Sequence, residues 1–144
     1  MVNCSHGSGA AVTMTHEQKK LMALFTRLVD APLQLFPHAG GRLNATDRQG
    51  VYVIYSSRNR VLHVGRTPKA ARGIYQRLTN HLQNQSSFTT KYLAGDGARL
   101  RRGCKFRCLV VKNPRHRALL EAYAIGRLCP AHIGDGARSS VRPR

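Results

Sequence analysis

Apolar positions first recur at helical spacing near the N-terminus, where Leu21, Leu24, Phe25 and Leu28 make one stripe. This predicts a helix opening at Thr15 or His16 and ended by Pro32. Residues 37–49 are polar and turn-rich, and read as a loop. The period then changes. Val51 to Tyr55 is dense in β-branched and aromatic residues, Ser56 to Asn59 is a polar break, and Arg60 to Gly65 is again strand-like, so the pair predicts a β-hairpin. Thr67-Pro68 opens a further helix over 71–83, with Ile74, Leu78 and Leu82 on one face. Residues 84–103 are mixed, with Phe88, Tyr92 and Leu93 as anchors. Lys105 to Lys112 predicts a third strand, and Asn113-Pro114 caps a strong helix over 115–128 that Cys129-Pro130 stops. Residues 1–14 read as a flexible leader and 137–144 as a basic tail. The order helix, strand, strand, helix, strand, helix predicts one α/β (α+β) domain over 15–136. Its expected core is a small three-stranded antiparallel sheet flanked by helices, with an extra helix at the N-terminus.

Composition sharpens this picture mainly through charge. The 144 residues suit a single domain. Lys and Arg number 24 against 6 Asp and Glu, a net charge of +18, and 18 of the cations are Arg. Such a surface attracts polyanions, and forked guanidinium contacts suit phosphate, so nucleic acid is the leading partner and an acidic membrane surface the second. No apolar run approaches the roughly 20 residues of a membrane helix. The first 15 residues lack the basic start and apolar core of a secretory signal. Cys4, Cys104, Cys108 and Cys129 form no CxxC pair, which favours a cytoplasmic chain with reduced thiols. Cys104 and Cys108 are expected as small core residues on one strand face.

Three features carry chemistry. Tyr52 and His63 fall on the two strands of the hairpin, where they can share a face. Arg77 and His81 are four apart on the following helix and project from one side. Glu121, one of two glutamates, sits inside an apolar helical run, where a carboxylate needs a metal or an Arg to compensate it. Taken singly, each has a plainer reading. Tyr52 can be a core aromatic, His63 a half-buried histidine, Arg77 and His81 a solvated basic face, and Glu121 a partner for Arg117 or another basic group. Together they suit phosphodiester cleavage. A metal on Glu121 would neutralise developing charge, Arg77 would stabilise the pentacovalent phosphate, and Tyr52, His63 or His81 would move protons.

In order and spacing these residues resemble the GIY-YIG nucleases over about residues 48–134. The first motif stands as Gly50-Val51-Tyr52 and the second as His63-Val64-Gly65, followed by Arg66-Thr67 and by Arg77 and His81. Glu121 matches the family's metal-binding glutamate, with Pro130 nine residues on. The literal string Gly73-Ile74-Tyr75 lies in a helical segment and is not the first motif. Two positions depart from the family pattern: His63 replaces a second phenol, and Ile133 stands where an Asn often lies, so that either neighbour, His132 or Asp135, takes over that role or the role is absent. The resemblance implies a metal-dependent endonuclease acting on DNA with Mg²⁺ or Mn²⁺ on Glu121, and no small-molecule cofactor beyond the metal. Arg66, Lys69 and Arg72 are expected nucleic-acid contacts. The alternative is a catalytically silent nucleic-acid-binding module on the same fold. An ordinary imidazole at His63 would give an acid limb in kcat/KM below roughly pH 6.5, lowered further by the metal and Arg77.

Overall fold

The computed structural model describes residues 12–68 and 71–134. The first helix, α1 (His16–Val29), begins at a capping box in which Thr15 and Gln18 satisfy each other's backbone N–H groups. Strand β1 (Gln34–Leu35) follows, then β2 (Gly50–Tyr55) and β3 (Val61–Arg66). Helix α2 (Gly73–Leu82) leads into a π-helical turn (Phe88–Tyr92) and a 3-10 turn (Gly97–Arg101). Strand β4 (Lys105–Val110) and helix α3 (Pro114–Leu128), capped by the Asn113 side chain, complete the order.

The sheet has four antiparallel strands in the order β1-β4-β2-β3, where three were expected. The additional strand is β1, whose two residues pair with Phe106 and Lys105. Two residues lying between Pro32 and Pro37 carry no readable period, so pairing with β4 alone defines them. The expected hairpin, the third strand and all three expected helices are present, each within a few residues of its predicted ends.

Strand β2 lies in the middle of the sheet and every one of its residues is buried. Helices or turns cover both faces, so its sequence reads as one apolar run rather than an alternation. Tyr52 and Ile54 enter one core with Phe36, Leu78, Phe88, Leu100 and Phe106. Val51, Val53 and Tyr55 enter the other with Leu24, Leu28, Leu120 and Ala124. Helices α1 and α3 therefore cover one face, and α2 with the two short turns covers the other. Glu17 of α1 ties α1 to α3 through two contacts of 2.9 Å to Arg115. Among the described residues no helix is long and apolar enough to cross a membrane.

Two local devices aim α2 and open the edge of β3. Gly73 has φ +52°, and a Cβ there would lie 2.2 Å from the Arg48 carbonyl oxygen. That close approach lets the N–H groups of Ile74 and Tyr75 bond to the carbonyls of Arg48 and Thr46, so a loop satisfies donors that a helix start leaves open. At β3 the chain after α3 returns along the edge. Ala131 and His132 donate to the carbonyls of Val61 and Leu62 at 3.1 and 2.9 Å. Further along, from His63 to Arg66, the strand lines an open cleft.

Gly65 is needed for a different reason. It pairs with Tyr52, and a Cβ there would stand 2.3 Å from the Tyr52 hydroxyl oxygen. A Gly65→Ala substitution is thus expected to displace the phenol and to cost about 1–3 kcal/mol, the range for overpacking a core. Urea unfolding of the variant beside wild type measures this, and an unchanged midpoint would show that the ring does not occupy that space.

Candidate active site

The cleft at the β3 edge draws on both helical layers. It has a volume of about 460 Å³, and its walls include His63, Gly65, Arg66, Arg77, His81 and Glu121. β3 supplies the first three, α2 the next two and α3 the carboxylate. Tyr52 lies behind this wall under Gly65, fully buried, and its hydroxyl is 2.7 Å from Nε2 of His81. His63 sits two register pairs along, opposite Ile54, with its ring centroid 6.1 Å from that of Tyr52. The hairpin therefore puts the two rings on one face, and the helical spacing of four puts Arg77 and His81 on one wall. Glu121 reaches the cleft from the other side of the sheet.

Glu121 pairs with Arg66, at 3.3 Å between Nε and Oε1. Arg117, its alternative partner on sequence grounds, is buried elsewhere and donates to the carbonyls of Val111, Lys112 and Pro68. Arg66, expected to contact nucleic acid, so faces the cleft with its charge shared. Arg72 lies over the Tyr75 ring at 4.5 Å, and Lys69 lies outside the described residues, as does nearly all of the leader and the whole basic tail. Cys104 precedes β4 and is buried, and Cys108 within β4 is partly buried; both have reduced thiols.

An aromatic stack closes one end of the cleft. His63 lies flat on Phe88 at 4.7 Å, and Phe88 on Tyr92 at 5.7 Å. His132 approaches His63 with 3.2 Å between the two Nδ1 atoms. Ser86 lies 2.7 Å from Nδ1 of His81. Sequence reasoning passed over Ser86, which sits in a polar stretch with no periodic signal, and noted His132 only as a neighbour of Ile133. The return of the chain along β3 brings His132 to His63, and that pairing is not encoded locally.

The sequence model of the GIY-YIG catalytic domain matches residues 48–131, which run from the strand holding Tyr52 to the segment on the β3 edge. The chain belongs to the GIY-YIG nuclease family. Comparison with curated proteins and with solved structures gave no significant match. Within the GIY-YIG framework the two motif segments are neighbouring strands, β2 and β3. The Gly73-Ile74-Tyr75 string opens α2, as expected of a coincidental match.

Burial sets the protonation of this GIY-YIG cleft. It pushes the Tyr52 phenol up to about 12, against the pull of the Arg77 guanidinium. It holds His63 down at about 3, aided by His132 and Arg77. His81 is likewise held well below an ordinary imidazole by burial, with His63, Arg77 and His132 adding to the effect. Burial raises the Glu121 carboxyl, while Arg66 and Arg77 oppose that rise. At neutral pH the site thus holds a neutral phenol and two neutral imidazoles beside two guanidinium groups.

Among the described residues no three His, Cys, Asp or Glu side chains converge as a metal cage. One carboxylate in an open cleft nevertheless fits Mg²⁺, which commonly takes one or two protein carboxylates and fills its other positions with water and substrate phosphate. The donor set suits a hard cation of this kind.

The depressed imidazoles move the acid limb expected for His63 away from the working range and make folding sensitive to acid. An unfolded imidazole titrates near 6.5. Between that value and about 3, the unfolded chain takes up a proton that folded His63 refuses, so stability is full above about pH 6.5 and falls below it. The slope is up to about 1.4 kcal/mol per pH unit for one such group. The unfolding midpoint should therefore drop between pH 7 and 5, and less so in His63→Tyr. Equal slopes in the two proteins would place folded His63 near its ordinary value.

Proposed function

We propose that this chain is a divalent-metal-dependent endonuclease that hydrolyses DNA phosphodiesters in the cleft at the β3 edge. The observation that carries the reading is the hydrogen bond of 2.7 Å between Tyr52 and His81, set beneath a cleft that also holds Arg77 and Glu121. A buried phenol needs an acceptor, and a neutral imidazole on the cleft wall is one that can also take up the phenol's proton. Neither partner is exposed, so the pair is held in place by packing rather than by solvent.

Each residue has a role that follows from its surroundings. A phenol held at about 12 is not a phenolate at neutral pH. Tyr52 acts instead as a proton conduit: as its oxygen receives a proton from the attacking water, its own proton passes to Nε2 of His81. His63, neutral and edging the same space, accepts a hydrogen bond and orients the water. The Arg77 Nε is buried with no hydrogen-bond partner, so its guanidinium has unused capacity to bond an anion. Arg77 therefore stabilises the charge that grows on the phosphate. Glu121 would hold Mg²⁺ or Mn²⁺, which supplies Lewis-acid stabilisation of the phosphate and its leaving oxygen when bound. Arg66, Lys69 and Arg72 add positive charge along the strand and the loop before α2, where backbone phosphates would pass.

The silent binding module remains the second reading, because His63 replaces the second phenol and Arg66 already pairs with Glu121. A supercoiled-plasmid nicking assay separates the two. Nicking is expected with Mg²⁺ and its loss on chelation, while absence of nicking with either Mg²⁺ or Mn²⁺ leaves the binding module. Glu121→Gln should abolish nicking and leave DNA affinity equal or higher, since it removes a negative charge that faces phosphate. A folded variant that nicks at the wild-type rate would remove Glu121 from the mechanism. Affinity itself should be largely electrostatic at a net charge of +18. Its logarithm should fall linearly with log salt, with a slope of about 0.9 for each phosphate neutralised; a flat dependence would contradict this.

A further inference from the structure

His81 stands in the middle of a hydrogen-bonded chain whose protons can be counted. The Thr89 hydroxyl has one proton, and the Ser86 carbonyl at 3.1 Å can take it beside the Thr90 N–H at 3.0 Å and the Thr90 hydroxyl at 2.9 Å. The hydroxyls of Ser86 and Thr89 are 3.0 Å apart, and with the Thr89 proton on the carbonyl Ser86 is the donor in that contact. With its own proton spent, the Ser86 oxygen only accepts from its remaining neighbours. It takes the Thr89 backbone N–H at 3.3 Å and faces Nδ1 of His81 at 2.7 Å. In this arrangement Nδ1 carries the imidazole proton. Nε2 is then bare and takes the Tyr52 O–H at 2.7 Å.

We propose that Ser86 and Thr89 are positioning residues that lock His81 in its Nδ1–H tautomer and so keep the Nε2 lone pair on the Tyr52 proton. The role in turnover rests on the Tyr52–His81 path above; the tautomer itself does not. The opposite tautomer would aim an Nε2–H at the phenol and leave the phenol's proton without an acceptor. The lock also suits the charged form. When the O–H bond of Tyr52 breaks and Nε2 gains that proton, Nδ1–H still donates to Ser86, and nothing has to turn. The other groups around His81 are Tyr52 from β2, His63 from β3, Arg77 on its own helix, Phe88 from the π-helical turn and His132 from the segment after α3. None of these contacts is with Nδ1, so the choice of tautomer falls to Ser86.

The test is a long-range ¹H–¹⁵N correlation spectrum of the histidine rings at pH 7, with nicking kinetics on the same proteins. Wild type should show His81 protonated at Nδ1 and bare at Nε2. Thr89→Val frees the Ser86 proton to turn toward Nδ1, so the Nε2–H form should gain population. Its kcat should fall about tenfold or more, up to the roughly 10²–10⁴-fold that a general base contributes, with KM for DNA little changed. Ser86→Ala should act in the same direction and Ser86→Thr should retain the wild-type tautomer and rate. If Ser86→Ala fails to fold, the other two variants still decide the matter. A wild-type Nε2–H tautomer, or a Thr89→Val spectrum identical to wild type, overturns the lock. A shifted tautomer with unchanged kcat overturns the positioning role. Wild-type nicking by Tyr52→Phe would instead overturn the Tyr52–His81 path, and the spectra would still judge the lock.

Discussion

The architecture turns on burying a phenol in the middle of a sheet while giving its hydroxyl a partner. A buried hydroxyl without a hydrogen bond costs several kcal/mol, so Tyr52 must meet an acceptor inside the protein. His81 provides it at 2.7 Å, but only if the ring can lie across the neighbouring strand. Gly65 leaves that space by having no side chain. The bond also requires α2 to be held at one angle, and the contact of Gly73 with the Arg48 carbonyl holds it there. The glycine of the second motif and the helix start that bears Arg77 and His81 thus answer to the same buried bond.

That dependence explains which parts of the molecule were legible in the sequence. The stripe Leu21, Leu24, Phe25, Leu28 and the run from Val51 to Tyr55 state their periods locally, because each element buries a regular face. The pairing of Tyr52 with His63 followed from the hairpin, and that of Arg77 with His81 from the helix. β1 was not legible, since two residues have no period. Nor was the partner of Glu121. Helical spacing offered Arg117 four residues away, whereas Arg66 is brought to Glu121 by the packing of α3 against β3. The stretch 84–103 gave its anchors, Phe88 and Leu93, but not its geometry. The Ser86 contact depends on a π-helical turn that no local pattern announces.

The substitution of His63 for a phenol also has a physical setting. A tyrosine at this position would bring a second hydroxyl into the buried face beside Tyr52 and would need its own partner. The imidazole instead stacks on Phe88 and places Nδ1 by His132, so the apolar ring face and the polar edge are both accommodated. Ile133 fits the same pattern. The residue next to it, His132, turns inward toward His63, while Ile133 is half exposed at the cleft rim.

The charge of the cleft follows from these same burials. If His63, His81 and His132 were all cationic beside Arg66 and Arg77, five positive groups would face one carboxylate. Repulsion among them would oppose folding, and the excess would also oppose a divalent cation at Glu121. Desolvation prevents this for His63 and His81 by favouring the neutral ring. The permanent charge is left to guanidinium groups, which do not titrate and which match phosphate geometry. Neutral rings and permanent cations are thereby separated by residue type. The neutral rings are packed against Phe88 and Tyr52 in the core, and the arginines occupy the cleft wall. A chain that carries +18 overall can in this way moderate the local charge at the cleft where the proposed metal ion would bind.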